Sequence, residues 1–158
     1  MLEWLPAAVR AAPAFSAPLC AELHASAAAL AWQRTYTQAE VAAGAIEARF
    51  LDRYGWCELQ GPRALGEGYS GALACGFLLL GPDVHYPAHC HEAEEVYLPL
   101  SGSAAWRQGE ALWQERQPGA IIHHASLEPH AMRTGKDPLL ALYLWRGRNL
   151  AGSARLYC

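Results

Sequence analysis

No two cysteines in this chain are spaced as CxxC. The five present, Cys20, Cys57, Cys75, Cys90 and Cys158, are odd in number and widely scattered. Such a set argues against a disulfide framework or a zinc ribbon, and thiols in a reducing compartment are the expectation. An excess of basic charge is also missing: 12 Lys and Arg stand against 15 Asp and Glu, a net charge of −3. That balance excludes the electrostatic footprint required by nucleic acid or an anionic membrane surface. Long apolar runs are absent too. The most apolar short stretch, Phe77 to Leu80, is far too short to cross a bilayer. With Glu3, no early lysine, and Pro6 and Pro13 interrupting its apolar residues, the first segment makes a poor secretory leader. Cys20 after Ala17, Pro18 and Leu19 is a faint lipoprotein-like pattern at best. These absences leave a cytoplasmic protein acting on a small molecule, with neither nucleic acid nor membrane as partner.

What is present is ample apolar matter, 53% of 158 residues, enough for one domain with a sizeable core. No internal repeat or low-complexity linker divides it. Residues 18–32 are Ala-rich with Leu19, Leu23 and Leu30, and Ser16 stands ready as an N-cap, so a helix is predicted there. A second helix is predicted from Thr37, where Thr37 and Glu40 form a capping-box pattern, through Val41, Ile46 and Phe50, ending before Gly55. After Gly61 and Pro62 the texture changes to short apolar runs split by Gly, Pro, Ser and Asp, the signature of antiparallel strands. Eight are predicted, over 73–80, 85–90, 95–100, 104–107, 111–115, 120–123, 130–133 and 139–146. Turns are expected at residues 107–110 and at Gln117, Pro118 and Gly119. The fold class is therefore mainly β, a single small β-barrel or jelly roll over residues 61–158, with an N-terminal helical segment, 1–60, packed on it.

One stretch carries the chemistry. His89 and His91 are two apart, Glu95 follows after three intervening residues, Tyr97 lies two further on, and Gly102 turns the chain. In strands, residues two apart share a face. Two imidazoles and a carboxylate can then converge on one ion. A fourth ligand must come from elsewhere, and His130 is the best candidate, with His123 and His124 as weaker alternatives. Strand alternation turns the Cys90 thiol and Glu94 away from the ion, and Glu92 falls in the solvated turn.

The spacing HxH, three residues, Glu, six residues, Gly resembles the first motif of the cupin superfamily, and the Pro118-Gly119 turn followed by a His resembles its second. The longer string is more specific. It runs Tyr86-Pro87-Ala88-His89-Cys90-His91, Glu95-Val96-Tyr97 and Ser101-Gly102, with Trp32 through Tyr36, Pro129-His130-Ala131-Met132 and Leu144-Trp145-Arg146-Gly147. It is similar to the cupin-type dimethylsulfoniopropionate lyases over most of residues 30–147. That resemblance implies a cupin barrel holding one divalent transition metal, Fe, Zn, Mn or Ni, through His89, His91, Glu95 and His130. The implied reaction is β-elimination of dimethylsulfoniopropionate to dimethyl sulfide and acrylate, with Tyr97 or Tyr86 as base.

Chemistry supports those residue types. A cation stabilises the negative charge that develops when the proton beside a carboxylate leaves, and it lowers the pKa of a nearby phenol. Aromatic faces attract a sulfonium, which singles out Trp32, Tyr36, Trp106 and Trp145 as substrate-binding candidates. Arg34 or Arg146 could steer a carboxylate, although solvated surface suits both. The competing readings are an Fe(II) dioxygenase or isomerase acting on a small carboxylate, and a metal-dependent small-molecule sensor. The segment ahead of the barrel is short for the lyases, so a reduced lid is expected, and a homodimer is compatible with the exposed barrel edges.

Overall fold

Residues 73–80 are apolar on both faces of a strand. The computed structural model of the chain, which describes residues 1–65, 69 and 71–158, accounts for this by burying both faces of β2 (Leu73–Leu80). Leu78 and Leu80 enter the main core, while Phe77 and Leu79 point outward beneath α1 (Leu5–Arg10) and α2 (Ala17–Ser26). Period-two alternation thus serves two cores at once. In the outer one Leu5, Ala8, Cys20 and Leu23 close over Cys57, Leu100 and Leu140, and the Ser101 hydroxyl donates to the Ala8 carbonyl. Helices α1 and α2 thus lie against the outer side of β2.

The remaining strands are β1 (Tyr54–Gln60), β3 (His85–Cys90), β4 (Glu94–Ser101), β5 (Ala104–Gln108), β6 (Gln114–Arg116), β7 (Ile122–His124), β8 (His130–Thr134), β9 (Leu139–Arg146) and β10 (Arg155–Leu156). Among the described residues they form two antiparallel five-stranded sheets, ordered β1-β2-β9-β4-β7 and β10-β3-β8-β5-β6. Both sheets send side chains into one shared core, Leu78, Tyr97 and Tyr143 from the first and Tyr86, Trp106 and Met132 from the second.

Several sequence expectations change here. Ser16 occupies the N-cap position of α2, but its hydroxyl donates to Leu100 (2.6 Å), fastening the helix to β4 rather than capping it. The second predicted helix is two short ones, α3 (Gln38–Ala42) and α4 (Ala48–Arg53). The Thr37 and Glu40 capping box forms as read, but Gly44 at φ +71 turns the chain out of the helix, with Ala45 N–H bonded back to Glu40 at 2.9 Å. β1 falls where no strand is predicted, overlapping the expected helix only at Tyr54, and it brings the first strand forward of residue 61. The 111–115 and 120–123 strands shift to Gln114–Arg116 and Ile122–His124. Cys90 is disulfide-bonded to Cys158, with a sequence separation of 68, which corrects the expectation that all five cysteines are thiols. Cys20, Cys57 and Cys75 are free.

Candidate metal centre and active pocket

Strand register assembles the site. His89 on β3 lies opposite His130 on β8, and Glu95 on β4 lies between Trp145 on β9 and His124 on β7. Pro87, which has no backbone N–H to give, coincides with a register shift between Tyr86 and His89. Both of those side chains consequently face inward, and the Tyr86 ring lies flat on His89, 3.9 Å between centroids and 7° between planes. Tyr97, two residues after Glu95, keeps to the same face of β4 and lines the same cavity.

Glu95 is the hub. Its Oε2 is 3.0 Å from His91 Nε2 and 3.2 Å from His130 Nε2, and its Oε1 accepts a hydrogen bond from Trp145 Nε1 at 2.6 Å. The donor atoms of His91, Glu95 and His130 all fall within 4.8 Å of one another, and all three residues are buried. His89 adjoins this trio, its ring centroid 4.1 Å from that of His130.

These residues fit a divalent transition metal. The Nδ1 of His89, His91 and His130 faces the carbonyls of Pro87 (2.9 Å), Ala93 (2.8 Å) and Glu128 (2.9 Å). A carbonyl only accepts, so each Nδ1 carries the hydrogen and each Nε2 is presented inward, the orientation that backbone partners impose on ligating histidines. His130 Nε2, although 3.2 Å from Glu95, is off the line a hydrogen bond needs and has no aligned partner among the described residues. A buried lone pair with nothing to bond is what a metal ligand looks like without its ion.

Electrostatics follow the same contacts. Burial favours neutral Glu95, but the imidazoles of His130 and His91 beside it outweigh that and hold the carboxyl well below the usual range. Burial disfavours charge on His91, yet the Glu95 carboxylate draws its pKa upward. His89 is pushed well down by burial and then by His130. Burial raises the phenols of Tyr97 and Tyr86 well above 10, with Glu95 adding to the first and Tyr36 to the second.

The cluster opens on a cavity of about 170 Å³. Its aromatic wall is Tyr54, Trp56, Tyr143 and Trp145, with Arg34 and Arg63 also facing it. Of the predicted aromatic candidates, Trp145 alone lines this cavity, with its ring on His91 (4.2 Å). Tyr36 stands behind the wall, its hydroxyl 3.3 Å from that of Tyr86. Trp106 is buried behind Tyr97, 5.0 Å between ring centroids, and Trp32 belongs to the outer core, bonded to Ala27. His123 is exposed and paired to Glu94 at 2.7 Å, whereas His124 is buried and stacked on His130 at 4.0 Å. Arg146 also pairs with Glu94, outside the cavity. Tyr54, Trp56 and Tyr143 went unnoticed in the sequence. The available signal was an aromatic pair at spacing two in each of two strands, Tyr54 with Trp56 and Tyr143 with Trp145.

The family model for dimethylsulfoniopropionate lyases matches residues 2–141 of this chain. The chain belongs to that family. It is 34% identical over 120 residues to dimethylsulfoniopropionate lyase DddQ of Ruegeria pomeroyi, a match spanning 73% of this chain and 54% of the relative, little more than half the length of that curated protein. Among solved structures, a chain from the crystal structures of the DMSP lyases RdDddP and RnDddQII superposes with a TM-score of 0.84 at 34% identity. That match covers 100% of this chain and 79% of the other. DddQ of Ruegeria pomeroyi superposes with a TM-score of 0.78 at 31% identity, covering 97% and 76%. A cupin-2 domain protein from Rhodospirillum rubrum, 16% identical with a TM-score of 0.60 over 82% of this chain and 76% of its own, shares the fold, so the fold of this chain is that of a cupin. No described helix is long and apolar enough to cross a membrane.

Proposed function

We propose that this chain is a metal-dependent carbon–sulfur lyase that cleaves dimethylsulfoniopropionate to dimethyl sulfide and acrylate, with Tyr97 as the base. The observation that carries the reading is that Tyr97 shares the wall of one cavity with His91 and Glu95, two members of the buried His91, Glu95 and His130 cluster. A divalent cation held by these three residues, with His89 alongside, would supply positive charge that polarises a substrate carboxylate and favours the phenolate of a neighbouring tyrosine.

The chain's own residues account for the other requirements. Tyr97 Oη takes the hydrogen from the carbon next to the carboxylate. The freed electron pair becomes the new carbon–carbon double bond as the bond to sulfur breaks, and dimethyl sulfide departs neutral. Trp56 and Tyr143 offer aromatic rings to the sulfonium cation, each worth about 0.5–2 kcal/mol depending on desolvation. Tyr86 is engaged otherwise, its ring on His89 and its hydroxyl at Tyr36, so it orients a ligand while Tyr97 is left for the proton. Arg34, exposed at the edge of the cavity, suits the incoming carboxylate.

Headspace measurement of dimethyl sulfide, with the protein reconstituted in turn with Fe(II), Mn(II), Ni(II) and Zn(II), tests this. Release is expected with at least one metal and not with the chelated protein. Silence with all four would overturn the reading.

A further inference from the structure

The stretch from Leu150 to Cys158 touches the site from two directions. Leu150 is buried with Ala74 and Ala93, and Gly152, Ser153 and Ala154 form one side of the cavity. Beyond them β10 runs along the edge of the second sheet, Leu156 opposite His89 and Arg155 opposite Cys90.

Two fastenings hold this stretch. At its near end Arg63 donates to the carbonyls of Leu150 (2.8 Å) and Gly152 (2.6 Å), with its guanidinium over the rings of Trp56 (5.1 Å) and Trp145 (5.7 Å). At its far end Tyr157 N–H donates to Ala88 (2.8 Å) and the Tyr157 hydroxyl to Ala45 (2.7 Å). There Cys158 is bonded to Cys90, the residue between His89 and His91. Tyr157 has φ +54, a left-handed backbone that bulky side chains rarely adopt. The far end is thus held in a conformation its own sequence disfavours, by a strand pairing of only two residues, the two Tyr157 hydrogen bonds and one covalent bond.

We propose that residues 150–158 are a tethered wall that determines what reaches the metal cluster, and that a dithiol reductant opens it by cleaving the Cys90–Cys158 disulfide. Cys158 is exposed and Cys90 is 1% exposed, so the dithiol's thiolate attacks the Cys158 sulfur and Cys90 leaves, taking up a proton. The second thiol of the reductant then displaces Cys158 from the mixed disulfide. Two electrons pass to the protein, two thiols form on it, and the reductant ends as a disulfide. With the bond gone, a two-residue edge strand and a strained Tyr157 with two hydrogen bonds at the exposed edge remain, the kind of segment that opens locally. Opening swings Ser153 and Ala154 away from the cavity about the Arg63 fastening at Leu150 and Gly152.

The test uses metal-loaded protein with and without dithiothreitol, together with Cys158→Ser without reductant, because dithiols also bind metals. Alkylation in denaturant should count three thiols before reduction and five after. Hydrogen exchange of peptides covering residues 85–91 and 150–158, and the rate at which EDTA strips the metal, should each rise at least tenfold in both the reduced protein and the variant. Five thiols before reduction would overturn the proposal, as would exchange and stripping rates equal to those of the oxidised protein. A further arm rests on the lyase reading: the preference for dimethylsulfoniopropionate over its S,S-diethyl homologue should narrow severalfold in Cys158→Ser, and an unchanged preference would count against a selective wall. A protein that releases no sulfide in any form refutes the lyase reading, while exchange and stripping still decide the wall.

Discussion

Tyr97 and Tyr86 are both buried phenols, and their neighbours give them different work. Tyr97→Phe should lower kcat by about 10²–10⁴, the range for a lost proton-transfer group, with bound metal unchanged by elemental analysis. Tyr86→Phe keeps the ring on His89 and should lose far less. The reverse order would exchange the two roles. Tyr54, beside them, bonds Thr35 at 2.8 Å, and burial pushes its pKa up to about 12. Between pH 10 and 12 the folded chain therefore holds a proton that the unfolded chain has released, so stability falls as pH rises through that window. Denaturant unfolding from pH 9 to 12 should show the decline, and Tyr54→Phe should make it shallower. An identical slope would place the titration elsewhere.

At the scale of elements, turns are where one atom decides most. Gly102, between β4 and β5, has φ +73, and a Cβ there would collide with the Pro138 carbonyl oxygen; Gly44 has φ +71 with open space around it. Gly44→Ala should cost about 1–2 kcal/mol for the left-handed backbone alone, and Gly102→Ala clearly more, measured by chemical denaturation. Equal costs would mean that β4 and β5 shift freely. The same contrast explains what was readable in the sequence. Period-two spacing exposed His89, His91, Glu95 and Tyr97 because a strand repeats every second residue whatever surrounds it. The Thr37 and Glu40 box was equally local. The split between α3 and α4 was missed because apolar spacing ran on through Gly44, whose backbone overrides it. The predicted helix takes in only Tyr54 of β1, and residues 55–60, Trp56 among them, carry no period-two alternation clear enough to mark a strand. β10 and the disulfide depend on a partner 68 residues away, and no local pattern records such a pairing.

For the molecule as a whole, the metal cluster is balanced even without an ion. Glu95 keeps the Trp145 N–H and its close contact with His91, whose pKa the carboxylate raises, so removing metal leaves no buried carboxylate without a partner. Chelated protein should keep its far-ultraviolet circular dichroism while its Tm drops by some degrees, since a bound ion stabilises only the folded form. Wholesale loss of strand signal on chelation would show instead that the ion builds the barrel. The disulfide acts on a different scale. Closing a loop of 68 residues is worth about 4 kcal/mol by chain entropy, so Cys158→Ser should lower stability by a few kcal/mol without touching a metal ligand.

The Trp145 indole bridges two of the candidate ligands, giving its N–H to Glu95 and its ring face to His91. An indole so placed is an optical indicator wired to the cluster. Open-shell ions such as Fe(II) or Ni(II) should extinguish its emission on arrival and Zn(II) should not, so fluorescence can report which metal occupies the protein, turnover or none.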